Sequence, residues 1–374
     1  MTRVLVVRLD SDGDVLLAGP AVRAVAAGAD EVVAVVGPKG RQAAGLLPGV
    51  DAVTVWRCPW VDGDPPPVTR GDTEAVVEAL AALHADEAVV LTSFHQSPLP
   101  TALVLRLAGV PRITAASVDY AGSLLDARLR PGDPAVDPTV DLPDDLPEPE
   151  RALAVAARAG YVLPAGDDGR LAVAIDDDAR RAAAALLAAG GGDGGGDGGG
   201  DGGGDGGGEG GYVVLHPGAS VPARAWSPHR AAEGAAALAA AGHRVVVTGA
   251  PGERALTAQV AAAVPGGRGV DLGGRTSFAS LAAVLAGAQA VVVGNTGPAH
   301  LAAAVGVPVV SLFAPVVPPE RWAPYGVRRI LLGDQDAPCR GTRARTCPVP
   351  GHPCLDSVRG AHIVDAVAAL LYGE

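Results

Sequence analysis

The chain contains one lysine, Lys39, among 374 residues. Schiff-base chemistry through a lysine amine is therefore disfavoured. Cysteines number only four, too few for a disulfide scaffold at this length. Aromatic residues make up 3% of the chain while 48% is apolar, so any core must be built from Ala, Val and Leu. No run of 18 or more apolar residues occurs, so no transmembrane helix is expected. The opening MTRVLVVRLDSDGD runs from a strand-like stretch straight into acids, unlike a signal peptide, and a cytoplasmic location is the expectation. There is no GxGxxG for a dinucleotide and no GxxxxGK[ST] P-loop. A basic footprint for nucleic acid is missing too: the formal charge is −12, and five of the acids lie in one Gly-rich segment.

What is present is an alternation of strand and helix signals over a length that fits two domains. Residues 3–9 (RVLVVRL) read as a first strand. A turn of acids follows at 10–14, then a helix over 15–26. Strands are expected at 31–36, 52–55, 87–92 and 112–115, with helices at 73–83 and 99–107 between them. Such alternation means an α/β fold with a parallel sheet covered on both faces. Residues 119–149, rich in Pro and Asp, are expected to cross the surface as a loop. Residues 1–165 thus form a first domain. Residues 166–211 hold a helix over 177–189 and a glycine tract with Asp193, Asp197, Asp201, Asp205 and Glu209 at intervals of four. Glycine this dense cannot hold a fold, and a flexible linker spanning roughly 26 Å is expected. A calcium-binding glycine repeat is the other reading, but no apolar residue is present to pack between its turns. Residues 212–355 repeat the doubly wound pattern. The final stretch, 356–374, is expected to be a helix packing back toward the first domain.

The most informative stretch is 291–314, VVVGNTGPAHLAAAVGVPVVSLFA. A β-branched run meets a glycine turn, and Pro298 suits the first turn of the helix that follows. Free N–H groups at a helix start, beyond the carboxyl end of a parallel strand, favour an anionic ligand. An ordinary strand-to-helix connection is the alternative. Two further glycine turns, HPGAS at 216–220 and TGAPGE at 248–253, must emerge at the same sheet edge. Together they offer backbone N–H groups, Ser220, Arg224, Thr296 and one acid, Glu253. Arginine and N–H groups suit a diphosphate, and a carboxylate beside them suits ribose hydroxyls. Glu253 could equally stabilise its own helix as a first-turn acid. In the first half, Asp14 sits where a carboxylate could act as a general base, or could cap the helix as Asp12 could. Cys339, Cys347 and Cys354, with His352, leave open a structural Cys₃His zinc site or plain thiols in a structural loop. No metal ligand is assigned.

Two ordered sets of residues carry a resemblance. One is VLVVRLDSDGDVLLAGPAVRAV near the N-terminus. The other is HPGASVPARAWSP, VTGAPGE, VVVGNTGPAHLAAAVGVPVVSLFAP and RWAPYG, in that order. The chain resembles the heptosyltransferase group, glycosyltransferase family 9. The resemblance implies a GT-B fold, with two Rossmann-like domains facing a central cleft. It also implies inverting, metal-independent transfer from a nucleoside-diphosphate sugar, an ADP-sugar foremost, to a glycan or lipid-linked acceptor. No cofactor is implied, and a lipid-linked acceptor would bring peripheral membrane contact. On this pattern the first domain takes the acceptor, and Gly13 precedes the catalytic acid, Asp14. Arg224 lies near the phosphates, Glu253 on the nucleotide, and Thr296, Gly297 and His300 form the phosphate turn. Two positions depart from the family: Asn295 stands where an Asp is usual, and Arg224 where a Lys is usual. A nucleotide-sugar 2-epimerase-like enzyme and an inactive nucleotide-binding protein are the alternatives. Asp10-Ser11-Asp12-Gly13 also resembles the nucleophile turn of haloacid-dehalogenase phosphatases, but the later lysine of that family is missing.

Overall fold

Valine-rich runs without polar interruption build two sheets of the same design. The structure, a computed structural model of the full chain, describes residues 1–93, 95–190 and 211–373. The flexible-linker and calcium-repeat expectations fall on the glycine tract, which lies outside the described residues apart from its two ends. The chain divides into two compact units. One comprises Met1–Ala174 and Glu320–Gly326; the other comprises Ile175–Pro319 and the chain from Val327.

In the first unit, β1 (Arg3–Arg8), β2 (Glu31–Val36), β3 (Ala52–Val55), β4 (Glu87–Val90), β5 (Arg112–Ala116) and β6 (Ala127–Leu129) form one parallel sheet of order 3-2-1-4-5-6. The β1–β2 register runs from Arg3 opposite Glu31 to Arg8 opposite Val36. Val4, Leu5, Val6 and Val7 are buried on both faces, as a parallel strand between helical layers requires. The expected surface loop over 119–149 is corrected here. It contains the edge strand β6 and a small pair, β7 (Pro131–Gly132) with β8 (Leu142–Pro143). Proline and aspartate density hid a three-residue strand that takes its register from β5. The expected helix over 15–26 is two helices, α1 (Asp12–Leu17) and α2 (Gly19–Ala26), divided at Ala18 ahead of Gly19-Pro20. Later come α3 (Arg41–Ala44), α4 (Arg70–Ala81), α5 (Leu99–Leu107) and α6 (Glu148–Ala159). Helix α6 starts after extended Pro147, carries Pro149 in its first turn, and ends at left-handed Gly160. These signals fix Glu148 and Glu150 in its first turn.

In the second unit, β9 (Tyr212–His216), β10 (Arg244–Val247), β11 (Val270–Asp271), β12 (Ala288–Gly294), β13 (Val309–Leu312) and β14 (Arg329–Leu332) repeat the design. The order is β11-β10-β9-β12-β13-β14, all parallel. Around it lie α7 (Asp177–Gly190), α8 (Pro228–Ala240), α9 (Arg254–Ala262), α10 (Phe278–Ala286) and α11 (Gly297–Ala304). The last helix, α14 (Gly360–Tyr372), follows the short α12 (Pro319–Trp322) and α13 (Pro353–Asp356) and belongs to this unit. Its Ile363, Ala366, Val367 and Leu370 recur at helical spacing and join Ala231, Ala235 and Leu238 of α8 in the core. Fully burying each of the larger side chains contributes about 1.5–3 kcal/mol. Among the described residues, no helix is long and apolar enough to cross a membrane.

Candidate active site

The first unit gathers its charge where β1 ends. Arg8 closes β1, and its side chain is only 5% exposed. It meets three carboxylates. Its Nη2 donates to Asp14 Oδ1 at 3.1 Å, its Nε lies 3.0 Å from Asp10 Oδ2, and its Nη1 lies 3.7 Å from Glu148 Oε2. Nη2 also donates to the Ser93 hydroxyl at 3.0 Å. Burial alone would lower the Arg8 pKa, but the three carboxylates outweigh it and hold the guanidinium above its ordinary value. Asp10 shows the opposite balance. Burial pushes its carboxyl up to about 6, although Arg8 and a 2.6 Å bond from Gln96 Nε2 pull it down. Asp14 is the more open acid, its side chain 23% exposed. Its Oδ2 accepts from the Ser11 hydroxyl at 2.9 Å while Oδ1 takes Arg8, so both oxygens are oriented. Gly13 is buried beside it in α1.

A cavity of about 170 Å³ adjoins this cluster, with Arg8, Gln96, Ser117, Glu148 and Arg151 on its wall. Burial, together with Arg321 nearby, lowers Arg151 to about 10. Arg321, 3% exposed, donates from Nε and Nη2 to Glu148 Oε1 at 3.0 and 2.6 Å. Arg8, Glu148 and Arg321 were not among the expected site residues. The available signal was Arg8 itself, a cation ending an apolar strand just before a run of acids.

Asp12 supplies a stability prediction. Its Oδ1 accepts from the Ala43 N–H at 3.0 Å, and burial pushes its carboxyl from the ordinary 3.8 to about 6. A raised folded-state value means that the fold prefers the protonated acid. Stability is therefore lost as pH rises through about 4 to 6 and stays lost at neutrality. Asp12→Asn keeps the acceptor and removes the charge. It is expected to raise stability at pH 7.5 by about 1–2 kcal/mol after allowing for partial exposure, and to do nothing at pH 3. Thermal melts at the two pH values check this; an equal shift at both would refute it.

The second unit brings three turns to adjacent carboxyl ends of β10, β9 and β12. After β9, His216 is buried, and Nδ1 lies 3.0 Å from Thr248 Oγ1. Desolvation lowers the His216 pKa against the pull of Glu253, whose Oε2 is 3.9 Å from Nε2. Glu253 Oε2 also accepts from the Ala250 N–H at 2.7 Å, so this acid does cap its own turn. A Cβ on Gly218 would lie 2.0 Å from Glu253 Oε1, so only glycine allows this approach. Ser220 is exposed in the turn after β9. Arg224 ends a 3₁₀ turn, Pro222–Arg224, and its carbonyl oxygen would lie 3.2 Å from a Cβ on Gly294. Two bonds fix the preceding Ala223: its N–H donates to Arg345 O at 2.9 Å, and its carbonyl lies 3.1 Å from His352 Nε2.

After β12, Thr296 is the extended residue before α11, with Gly297 and Pro298 opening the helix. His300 is buried one turn along. Asn295 is 4% exposed, and neither its Oδ1 nor its Nδ2 has a hydrogen-bond partner among the described residues. The structure thus places Arg224, Thr296, Gly297 and His300 about one glycine turn, with Glu253 after β10, across the intervening strand β9. Cys339 and Cys354 are buried in the second core, and Cys347 packs against it. Among the described residues, no group of three or more His, Cys, Asp or Glu is arranged to hold a metal.

Two Rossmann-type sheets, each with its candidate residues at the carboxyl ends of the strands, define the GT-B class of α/β protein. Residues 149–352, more than half of the chain, match the family described as glycosyltransferase family 9 (heptosyltransferase), and the chain belongs to that family. A stretch of 73 residues is 48% identical to lipopolysaccharide heptosyltransferase 1 of Pseudomonas aeruginosa. That match spans 20% of this chain and about a fifth of the length of the relative (20%). Among solved structures, a family 9 glycosyl transferase from Veillonella parvula matches with a TM-score of 0.75 at 18% identity, covering 100% of this chain and 98% of that one. The Escherichia coli heptosyltransferase WaaC with ADP-2-deoxy-2-fluoro heptose matches at 0.62 and 22% identity, covering 97% and 98%. At these identities the structural likeness bears on the fold.

Proposed function

We propose that the chain transfers a sugar, heptose in type, from an ADP-sugar to a hydroxyl of a glycan or lipid-linked acceptor, with inversion and without a metal. The second unit holds the donor in this reading, and the first supplies the base and the acceptor cavity. Asp14 takes the proton of the acceptor hydroxyl as that oxygen bonds to the anomeric carbon. The nucleoside diphosphate departs from the opposite face, which inverts the centre. Its growing charge is met by Arg224, Thr296 and the N–H groups that open α11. The donor class is supported by the WaaC structure, which contains an ADP-sugar analogue. Family membership favours transfer over the epimerase-like alternative.

The observation that carries this reading is Asn295. A buried amide with both polar atoms unpartnered costs about 1–3 kcal/mol, and a ligand at the α11 turn would recover that cost. Asn295→Leu, of similar size, should therefore act in opposite directions. It should raise the melting temperature of the free protein and weaken ADP-sugar binding by about tenfold or more. Calorimetric titration of ADP, GDP and UDP and their sugars tests the donor directly. If none of them binds at millimolar concentration, the reading is wrong.

A further inference from the structure

We propose that Glu148 and Arg321 are positioning residues for transfer, acting through Arg8 to set the orientation and charge of Asp14. The inference rests on the reading of Asp14 as the base. It begins from a continuous chain of buried ionic contacts. Arg321 directs two N–H groups at Glu148 Oε1. The other oxygen of Glu148, Oε2, faces Arg8 Nη1 at 3.7 Å. Arg8 then donates to Asp14 from Nη2 at 3.1 Å. Glu148 thus divides its two oxygens between two arginines, and Arg8 divides its fork between Glu148 and Asp14.

The cluster is costly as a means of stabilising a fold. Arg8, Glu148, Arg151 and Arg321 are 4%, 3%, 6% and 3% exposed, and desolvating that many charges offsets most of their mutual attraction. What it does provide is a fixed geometry. With Oδ2 of Asp14 on Ser11 and Oδ1 on Arg8, the carboxylate cannot rotate without losing one of the two. Arg8 Nε also lies 3.0 Å from Asp10 Oδ2, so the guanidinium is held at once by Asp10, Glu148 and Asp14 and cannot turn without loosening one of them. The source of Arg321 matters as well. The segment Glu320–Gly326 belongs to the first unit, and two of its contacts reach the first turn of α6. They are Arg321 to Glu148 and the Tyr325 hydroxyl to Glu150 Oε1 at 3.1 Å. Arg321 also lies over the Trp322 ring at 5.0 Å, which steadies it from its own segment. A stretch 173 residues from Glu148 in sequence therefore helps to set the electrostatics at Asp14.

The test uses variants whose effects differ in sign. Arg321→Met leaves Glu148 with less counter-charge, which draws Arg8 away from Asp14, so the Asp14 titration midpoint should rise. Glu148→Gln frees Arg8 for Asp14, so the midpoint should fall. Shifts of about half a unit to one unit are expected, read by carbon-13 carboxyl NMR on the full chain. A role confined to holding the fold would not produce opposite shifts. With ADP-heptose as the probe, ADP release should slow by about tenfold to a hundredfold in Arg321→Met while ADP affinity stays unchanged. Arg321→Lys, which keeps the charge, should recover part of that rate, and it carries the test should the Met variant fail to fold. In an Asp14→Asn background, Arg321→Met should cost no further rate. Midpoints that stay put in folded variants, or a rate loss matched by lost ADP affinity, would overturn the proposal. If Asp14→Asn alone leaves ADP release unchanged, the base assignment fails, while the NMR shifts still decide whether the coupling exists.

Discussion

Asp14→Asn is expected to slow sugar transfer by about a thousandfold or more while leaving ADP affinity within about twofold. The size follows from what the substitution removes. A carboxylate that accepts the acceptor proton as the new bond forms is replaced by an amide that cannot. The surroundings are little disturbed. The Asn oxygen can still accept from Arg8 Nη2, and its NH₂ faces the Ser11 hydroxyl, which can accept as well as donate. Arg8 keeps Asp10 and Glu148, so its charge is not stranded. Stability should therefore change little, and a lower rate cannot be laid to unfolding. The competing role for Asp14, stabilising the start of α1 as a first-turn acid, makes a different prediction. In that case Asn would cost a few tenths of a kcal/mol and no rate. The measurement is ADP release from ADP-heptose with calorimetry on the same preparations, and unchanged turnover would remove Asp14 from the mechanism.

Much of the fold was legible because strand and helix carry different apolar periods. Glu31–Val36, Ala52–Val55 and Leu99–Leu107 were expected with the bounds the structure gives. Glu31–Val36 runs unbroken up to Gly37, Ala52–Val55 begins directly after Asp51, and Gly109 follows soon after Leu107. β6 was missed because three residues inside a Pro- and Asp-rich stretch have no period of their own; neighbouring β5 makes them a strand. The start of α1 at Asp12 was missed because acids read as a turn until the helix behind them is known. The site divides along the same line. Thr296, Gly297 and His300 follow local turn chemistry at the start of α11, and Arg224 reaches that turn through its carbonyl beside Gly294, while their binding roles belong to the proposal. Glu253 was left open between nucleotide contact and capping. The Ala250 N–H shows that the capping contact exists, and the nucleotide contact remains part of the proposal. The Arg8–Glu148–Arg321 chain could not be read from local pattern. Its members stand in a strand end, a helix start and a short segment far apart in sequence, and only the sheet order brings them together.

Gly37→Ala is expected to destabilise the first unit by about 2–4 kcal/mol and to slow transfer in whatever fraction stays folded. The backbone of Gly37 is ordinary, with φ −71° and ψ 164°, so conformational freedom is not the issue. Space is. An added Cβ would lie 2.3 Å from the Leu9 carbonyl oxygen and 3.3 Å from that of Asp10. Neither is a side chain that can rotate aside. Leu9 directly follows the last β1–β2 pair, Arg8 opposite Val36, so relief requires parting the strand ends or pushing the 9–10 backbone outward. The second movement would carry Ser11 and Asp14 with it, because the Val15 N–H to Ser11 O bond locks them into one turn. Gly40 confines the same turn from its other side, its absent Cβ leaving 2.6 Å to Val15 Cγ2. Leu9 and Asp10 therefore have little room to yield. For a unit of this size the loss corresponds to a melting shift of about 4–16 °C. Gly71→Ala is the control. It lies in α4 with nothing within 4 Å of its would-be Cβ, and should be neutral or stabilising by up to about 1 kcal/mol. ADP binding, assigned to the second unit, should be the same in both variants. A Gly37→Ala protein that melts and turns over like the Gly71→Ala protein would show that the Leu9–Asp10 backbone can move without disturbing Asp14, and the rigidity assigned to that turn would have to be given up.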